Sequence, residues 1–217
     1  MSDYEYFSRQ FKNLSESDKK KVKGEILLRK KYHEELLSPE GDDFPEAALT
    51  HLKKKEDINR TDIINKIKNS GASHILLYGA PVLAREFIYE TKCPIINLHM
   101  GVSTKYRGGM ANYIALFHSD YQNVGYTIHH VAEKIDAGKI IYVGKYDSYS
   151  AGDNYPKINV FLLKDAIKNL IELIPHIDRR EEAAERDIPK LIPNEKFLIE
   201  HLKKVQSDFK SQKHLAV

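Results

Sequence analysis

The sequence predicts an α/β fold with parallel pairing in its sheet, and two observations carry that prediction. HILLY (74–78) and CPIINLH (93–99) are short apolar runs of the kind that become strands buried on both faces. Segments of helical period alternate with them, above all Val160, Phe161, Leu163, Ile167, Leu170, Ile171 and Ile174, which define an amphipathic helix.

Residues 15–37 read as a helix. Ser15 with Asp18 three residues on resembles a capping signal, and Val22, Ile26, Leu27, Leu36 and Leu37 give a partial apolar face. SPEGDDFP (38–45) is a loop on composition. Asn59, Arg60, Thr61 and Asp62 can start a second helix, with Ile63, Ile64 and Ile67 on one side and Asn69, Ser70 and Gly71 at its end. Residues 82–90 and 111–118 are short helices, and MGVSTKYRGG (100–109) is a loop. GYTIHHV (125–131) and KIIYVGKY (139–146) are β-rich runs joined by AEKIDAG. Beyond about residue 178 the chain turns charged, and EEAAER and EKFLIEHLKK look helical. This divides the chain into a helical segment 1–57, an α/β core 58–177 and a charged helical segment 178–217. Tyr4, Tyr6 and Phe7 are placed to anchor the first helix.

Composition narrows the setting. With 217 residues, 41% of them hydrophobic, a core can form without staples. Cys93 is the one cysteine, so no intramolecular disulfide exists. It reads as packing rather than as a nucleophile. No apolar run approaches the roughly 20 residues a membrane helix needs, and the polar start lacks a signal core. A cytoplasmic compartment is the expectation. Net charge is +3, and the Lys19–Lys21 and Lys53–Lys55 runs are flanked by acidic residues. Solvated helix faces explain them better than a nucleic-acid surface.

Ligands in α/β sheets bind beyond the carboxyl ends of strands, where Asn97 and His99 stand. Asn97 offers an amide N–H to a developing oxyanion. His99, two residues on, points to the same strand face and can move a proton near neutral pH. Asp136 lies in a loop with Gly138 between two β-rich runs, where a carboxylate can hold a water or tune the histidine. His129 and His130 alternate along their strand, so only one faces such a site. No second ligand cluster with zinc spacing appears, so no metal is expected.

The string IINLHMGVSTKYRGGMANYIALFHSD resembles the signature of the folate-dependent formyltransferase family: Asn-x-His, a short loop, Tyr-Arg-Gly, then a helix. VGYTIHHVAEKIDAGKII resembles the family's Gly-x-Thr-x-His strand, followed by an acidic residue, Asp-x-Gly and an apolar strand. The match runs from about residue 58 to 146. The resemblance implies a doubly wound, mostly parallel formyltransferase-type sheet. It implies 10-formyltetrahydrofolate as donor cosubstrate and catalysis by Asn97, His99 and Asp136. It places the pterin pocket at Tyr78, Gly79, Ala80, Val82 and Leu83, and at Ile135, Asp136, Ala137 and Gly138.

Two departures bear on the acceptor. Many relatives have a proline in the loop before Tyr-Arg-Gly, where this chain has Met100-Gly101-Val102-Ser103-Thr104. The family's opening β-α-β segment, which helps hold the acceptor's phosphates, has no counterpart in residues 1–57. The pattern Asn-Leu-His-x-Gly-x-Ser-x-x-Tyr-Arg-Gly looks closest to members linked with sugar formylation. The expected acceptor is therefore a small amine, a nucleotide-linked amino sugar. Tyr106 and Arg107 are its candidate ligands: a guanidinium pairs well with diphosphate, and a loop-fixing arginine is the competing reading. Two other functions stay open: a non-catalytic module that binds folate or a protein, and a formyltetrahydrofolate hydrolase. A homodimer is also left open.

Overall fold

The computed structural model describes residues 14–37, 50, 52–177 and 199–215. The loop expected at 38–45, the aromatic anchor at Tyr4, Tyr6 and Phe7, and the EEAAER segment lie outside them.

Helix α1 spans Glu16–Leu37. Ser15 caps it, its hydroxyl accepting the Asp18 N–H at 3.1 Å. A 3₁₀ turn at Lys55–Asn59 leads into α2, Thr61–Lys68. Arg60 rather than Asn59 takes the N-cap position of α2 and makes no side-chain cap. Then follow β1 (Ile75–Tyr78), α3 (Arg85–Glu90), β2 (Ile95–His99) and α4 (Ala111–Phe117). Strands β3 (Gly125–His130) and β4 (Ile140–Lys145) precede the long helix α5 (Tyr155–Leu173). Asn154 caps α5 by accepting the Lys157 N–H, and Pro156 sits in its first turn. Helix α6 covers Ile199–Lys210.

The α/β arrangement and both helical flanks match expectation. The sheet runs β1-β2-β3-β4 and is mixed, with β1·β2 parallel and β2·β3 and β3·β4 antiparallel. It is therefore less parallel than expected. Residues 131–139, between β3 and β4, hold no helix. A connection that short closes a hairpin, whereas a parallel crossover needs a dozen or more residues.

Strand β1 also differs from expectation. Ile75 and Leu77 are half-buried, while Leu76 and Tyr78 are 46% and 52% exposed. Among the described residues β1 lies at the edge of the sheet, and Ile75 and Leu77 share one of its faces. There Ile75 and Leu77 join Ile64, Phe87 and Ile95 under α2 and α3.

The main core lies on the opposite sheet face. Ile96, Leu98, Tyr126 and Ile128 pack there with Val22 of α1, Leu162 and Ala166 of α5, and Leu202, Val205 and Phe209 of α6. The C-terminal helix is thus part of the core. Of the apolar stripe expected on α5, Val160, Leu163 and Leu170 are buried, while Phe161, Ile167 and Ile171 are exposed. This helix has more apolar residues than one face can cover, and its buried face centres on Ile158, Leu162 and Ala166. Glu25 ties the helices together by accepting the Tyr113 hydroxyl at 2.6 Å and the Gln206 amide at 2.9 Å. Burial raises its pKa, against the pull of those two bonds. Among the described residues no helix is long and apolar enough to cross a membrane.

Candidate active site

Strand geometry brings the first groups together. Asn97 and His99 share a face of β2, and β3 lies antiparallel against it with Asn97 opposite His129 and His99 opposite Thr127. A β-bulge falls at Ile128/His129, where β4 carries one extra residue. The extra residue is Ile141 on β4; the register with β2 is unbroken, and alternation along β3 puts His129 on the Thr127 face and His130 on the other.

The loop after β2 is held close to these residues. The Thr127 hydroxyl donates to the Gly101 carbonyl at 2.7 Å and accepts the Ser103 N–H at 3.0 Å. A side chain at position 101 would meet Ala111 Cβ at 2.4 Å and His99 Nε2 at 2.7 Å. Only glycine lets the loop pass so near the imidazole.

The β3–β4 loop delivers Asp136 in the left-handed region, at φ 53°. Aspartate tolerates that region better than most residues. Gly138 follows pressed on the His130 backbone, where an added Cβ would lie 1.8 Å from the carbonyl oxygen. Asp136 Oδ2 accepts the Gly108 N–H at 3.2 Å and lies 3.6 Å from His99 Nδ1. Its Oδ1 lies 3.6 Å from His129 Nε2. Asn97 Nδ2 is 3.2 Å from the same Nε2. The amide, the two imidazoles and the carboxylate therefore converge, and the last three of these groups are buried.

Charge follows from this geometry. Burial pushes the Asp136 pKa up, but the facing His129 and His99 rings and the Gly108 N–H outweigh it and bring it down to about 2. His99 is lowered chiefly by burial, despite the Asp136 charge. Its Nε2 lies 3.4 Å from the Tyr106 carbonyl, so both ring nitrogens face acceptors. The site therefore holds an ionised carboxylate against an imidazole that burial keeps neutral and that gains partners on protonation.

A cleft of about 120 Å³ opens above this cluster. Asn97, His129 and Asp136 line its polar end, and Leu77, Val82, Leu83 and Ile88 form apolar walls. Of the expected pterin residues, Ala80, Val82, Leu83, Ile135 and Asp136 lie on its wall. Tyr78, Gly79, Ala137 and Gly138 do not. Tyr78 projects from the sheet face opposite Leu77, Ala137 is fully buried, and Gly138 packs on β3. Gly79 has positive φ and shapes the turn. His99 sits one step behind the wall, against Asp136.

The two candidate acceptor ligands are engaged elsewhere. The Tyr106 hydroxyl donates to Asp120 at 2.9 Å; burial, reinforced by that carboxylate, pushes its pKa up to about 12. Arg107 is buried, and its Nε and Nη2 both donate to the Ile135 carbonyl, the former at 3.0 Å. This geometry is that of the loop-fixing reading.

Other contributing residues gave little signal in the sequence. Asn59 clamps the 79–84 loop, donating to the Val82 carbonyl at 3.0 Å and accepting the Ala84 N–H at 2.7 Å. No periodicity marks such a residue. Glu133 stands at the cleft mouth, accepting the Tyr89 hydroxyl at 2.7 Å beside Arg85 at 3.4 Å. Leu77 could have been found by alternation from Ile75.

Comparison with known proteins matches residues 13–164 to the formyl transferase family. The match starts within the N-terminal segment, well before residue 58. Methionyl-tRNA formyltransferase of Pediococcus pentosaceus is 28% identical over 119 residues, covering 52% of this chain and 37% of the relative. The enzyme of the same name from Fusobacterium nucleatum subsp. nucleatum is 26% identical over 152 residues, covering 69% and 48%. The matches thus span less than half the length of these curated relatives. Among solved structures, an uncharacterised Mycobacterium tuberculosis protein given as a candidate sugar N-formyltransferase aligns with TM-score 0.50 at 16% identity. That alignment covers 70% of this chain and 61% of the other, a likeness of fold. With the family match spanning well over half its residues, this chain belongs to the formyl transferase family.

Proposed function

We propose that this chain transfers a formyl group from 10-formyltetrahydrofolate to the amine of a nucleotide-linked amino sugar. The observation that carries the reading is the cleft itself. Its apolar walls suit a flat pterin, and Asn97, His129 and Asp136 meet at one end. Family membership supports the same chemistry. Bound there, 10-formyltetrahydrofolate would supply an activated formyl carbonyl. Asn97 is the amide donor placed to meet negative charge growing on the formyl oxygen. Asp136, ionised, holds the attacking amine or a water and receives positive charge. His99, paired with Asp136, is the group through which a proton passes as the amine loses one and the folate nitrogen gains one.

The experiment is direct. Purified protein is given 10-formyltetrahydrofolate with a panel of nucleotide-linked amino sugars, and formamide product is measured. Absence of product across the panel removes the acceptor assignment. The methionyl-tRNA formyltransferase relatives supply a second reading, an aminoacyl-tRNA amine, and the panel includes methionyl-tRNA for that reason. Formate release with no amine present would mark a hydrolase. Folate binding without any turnover would mark the binding-only reading.

A further inference from the structure

We infer that His129 is a positioning residue that decides which atom of Asn97 faces the cleft. The inference rests on the formyl-transfer reading only for its kinetic arm.

His129 Nδ1 lies 2.8 Å from the His130 carbonyl oxygen. A carbonyl only accepts, so Nδ1 carries the ring proton. In the neutral ring Nε2 is then the acceptor, and Asn97 Nδ2 donates to it across 3.2 Å. Asp136 Oδ1 faces the same nitrogen from 3.6 Å, the longer of the two approaches. Asn97 is the nearer partner.

The consequence is orientational. A half-turn of an asparagine amide exchanges its oxygen for its nitrogen. With the oxygen in the cleft, the side chain would repel the charge it is meant to stabilise. His129 takes one Nδ2 hydrogen, which fixes the amide plane and leaves the second hydrogen to donate into the cleft. The rest of the fold secures the ring. Its register opposite Asn97 aims it, burial to 2% exposure immobilises it, and its neighbours His99 and Asp136 close round it. An imidazolium here would reverse the arrangement, pairing with Asp136 and turning the Asn97 oxygen toward itself.

Two experiments test the assignment. The first is ¹⁵N NMR of the full chain labelled at histidine and asparagine. The expected result is a His129 ring protonated at Nδ1 and not at Nε2 at assay pH, with one Asn97 amide proton shifted by its bond to the ring. That shift should vanish in His129→Leu and in Asn97→Asp. A His129 ring protonated at Nε2 would overturn the proposal whatever the enzyme's acceptor proves to be.

The second is a double-mutant cycle. His129→Leu should lower kcat by about 10²-fold, the loss typical of a missing oxyanion donor, with KM for the folate little changed. His129→Gln offers an acceptor near the same place and should recover much of the rate. Against an Asn97→Ala background, His129→Leu should add little further loss. Additive losses, or no rescue by glutamine in a folded variant, would count against action through Asn97. A wild-type chain that formylates no amine would instead count against the function proposed above, and the NMR result would still decide the role of His129.

Discussion

The carboxylate of Asp136 stands 3.6 Å from Nδ1 of His99, although 37 positions separate them along the chain and two different elements carry them. Both groups are buried, so the carboxylate steadies the ring's cationic form while burial opposes it.

The pair predicts how stability responds to acid. Asp136 has its pKa depressed from 3.8 to about 2, so its contribution is complete above pH 4 and fades as pH falls toward 2. That contribution is about 2 kcal/mol. His99 is also depressed, so the unfolded chain takes up its proton first, and stability falls with acid from the ordinary histidine range downward. Thermal unfolding across this pH range should show the decline. Asp136→Asn suits the left-handed backbone and should flatten the part below pH 4.

Singly replacing Asn97, His99 or Asp136 by alanine should lower formyl transfer by about 10²-fold or more. Steady-state rates of folded variants check this. Wild-type rates in all three would remove the mechanism.

Arg107→Lys separates two roles. The guanidinium bridges to the Ile135 carbonyl with two of its nitrogens, a fork that lysine lacks. The expected outcome is a fall in kcat as the Asp136 loop loosens, with KM for the acceptor little changed. A large rise in acceptor KM with kcat intact would instead make Arg107 a substrate ligand.

Gly138→Ala puts a methyl group into the His130 carbonyl, a backbone atom that cannot step aside. Folding or activity should be lost outright. Gly101→Ala meets side chains instead, Ala111 and the His99 ring. It should cost about 1–3 kcal/mol by overpacking and displace the imidazole. Denaturant melts and rates read both effects.

Leu202→Ala tests the C-terminal helix. Leu202 is 1% exposed in the main core, so truncation should destabilise the chain by about 2–5 kcal/mol. A melt unchanged from wild type would mean that α6 packs independently of the sheet.

The sequence by itself determined the α/β alternation, the ends of β2, β3 and β4 to within a residue or two, and the two segments that supply Asn97, His99 and Asp136. These are local matters: apolar period, glycine punctuation and motif order are written in neighbouring residues. The cap at Ser15 was legible for the same reason. The tertiary structure decided the rest. It chose His129 over His130 for the cleft, because the antiparallel register with β2 sets His129 opposite Asn97 and His130 opposite Ile96. It turned Arg107 onto Ile135 and Tyr106 onto Asp120, contacts 28 and 14 positions away. It exposed one face of β1, docked α6 into the core, and made the sheet mixed. Each of these depends on which distant surface arrives at a given face, and pairwise burial between remote segments leaves no period in either one alone.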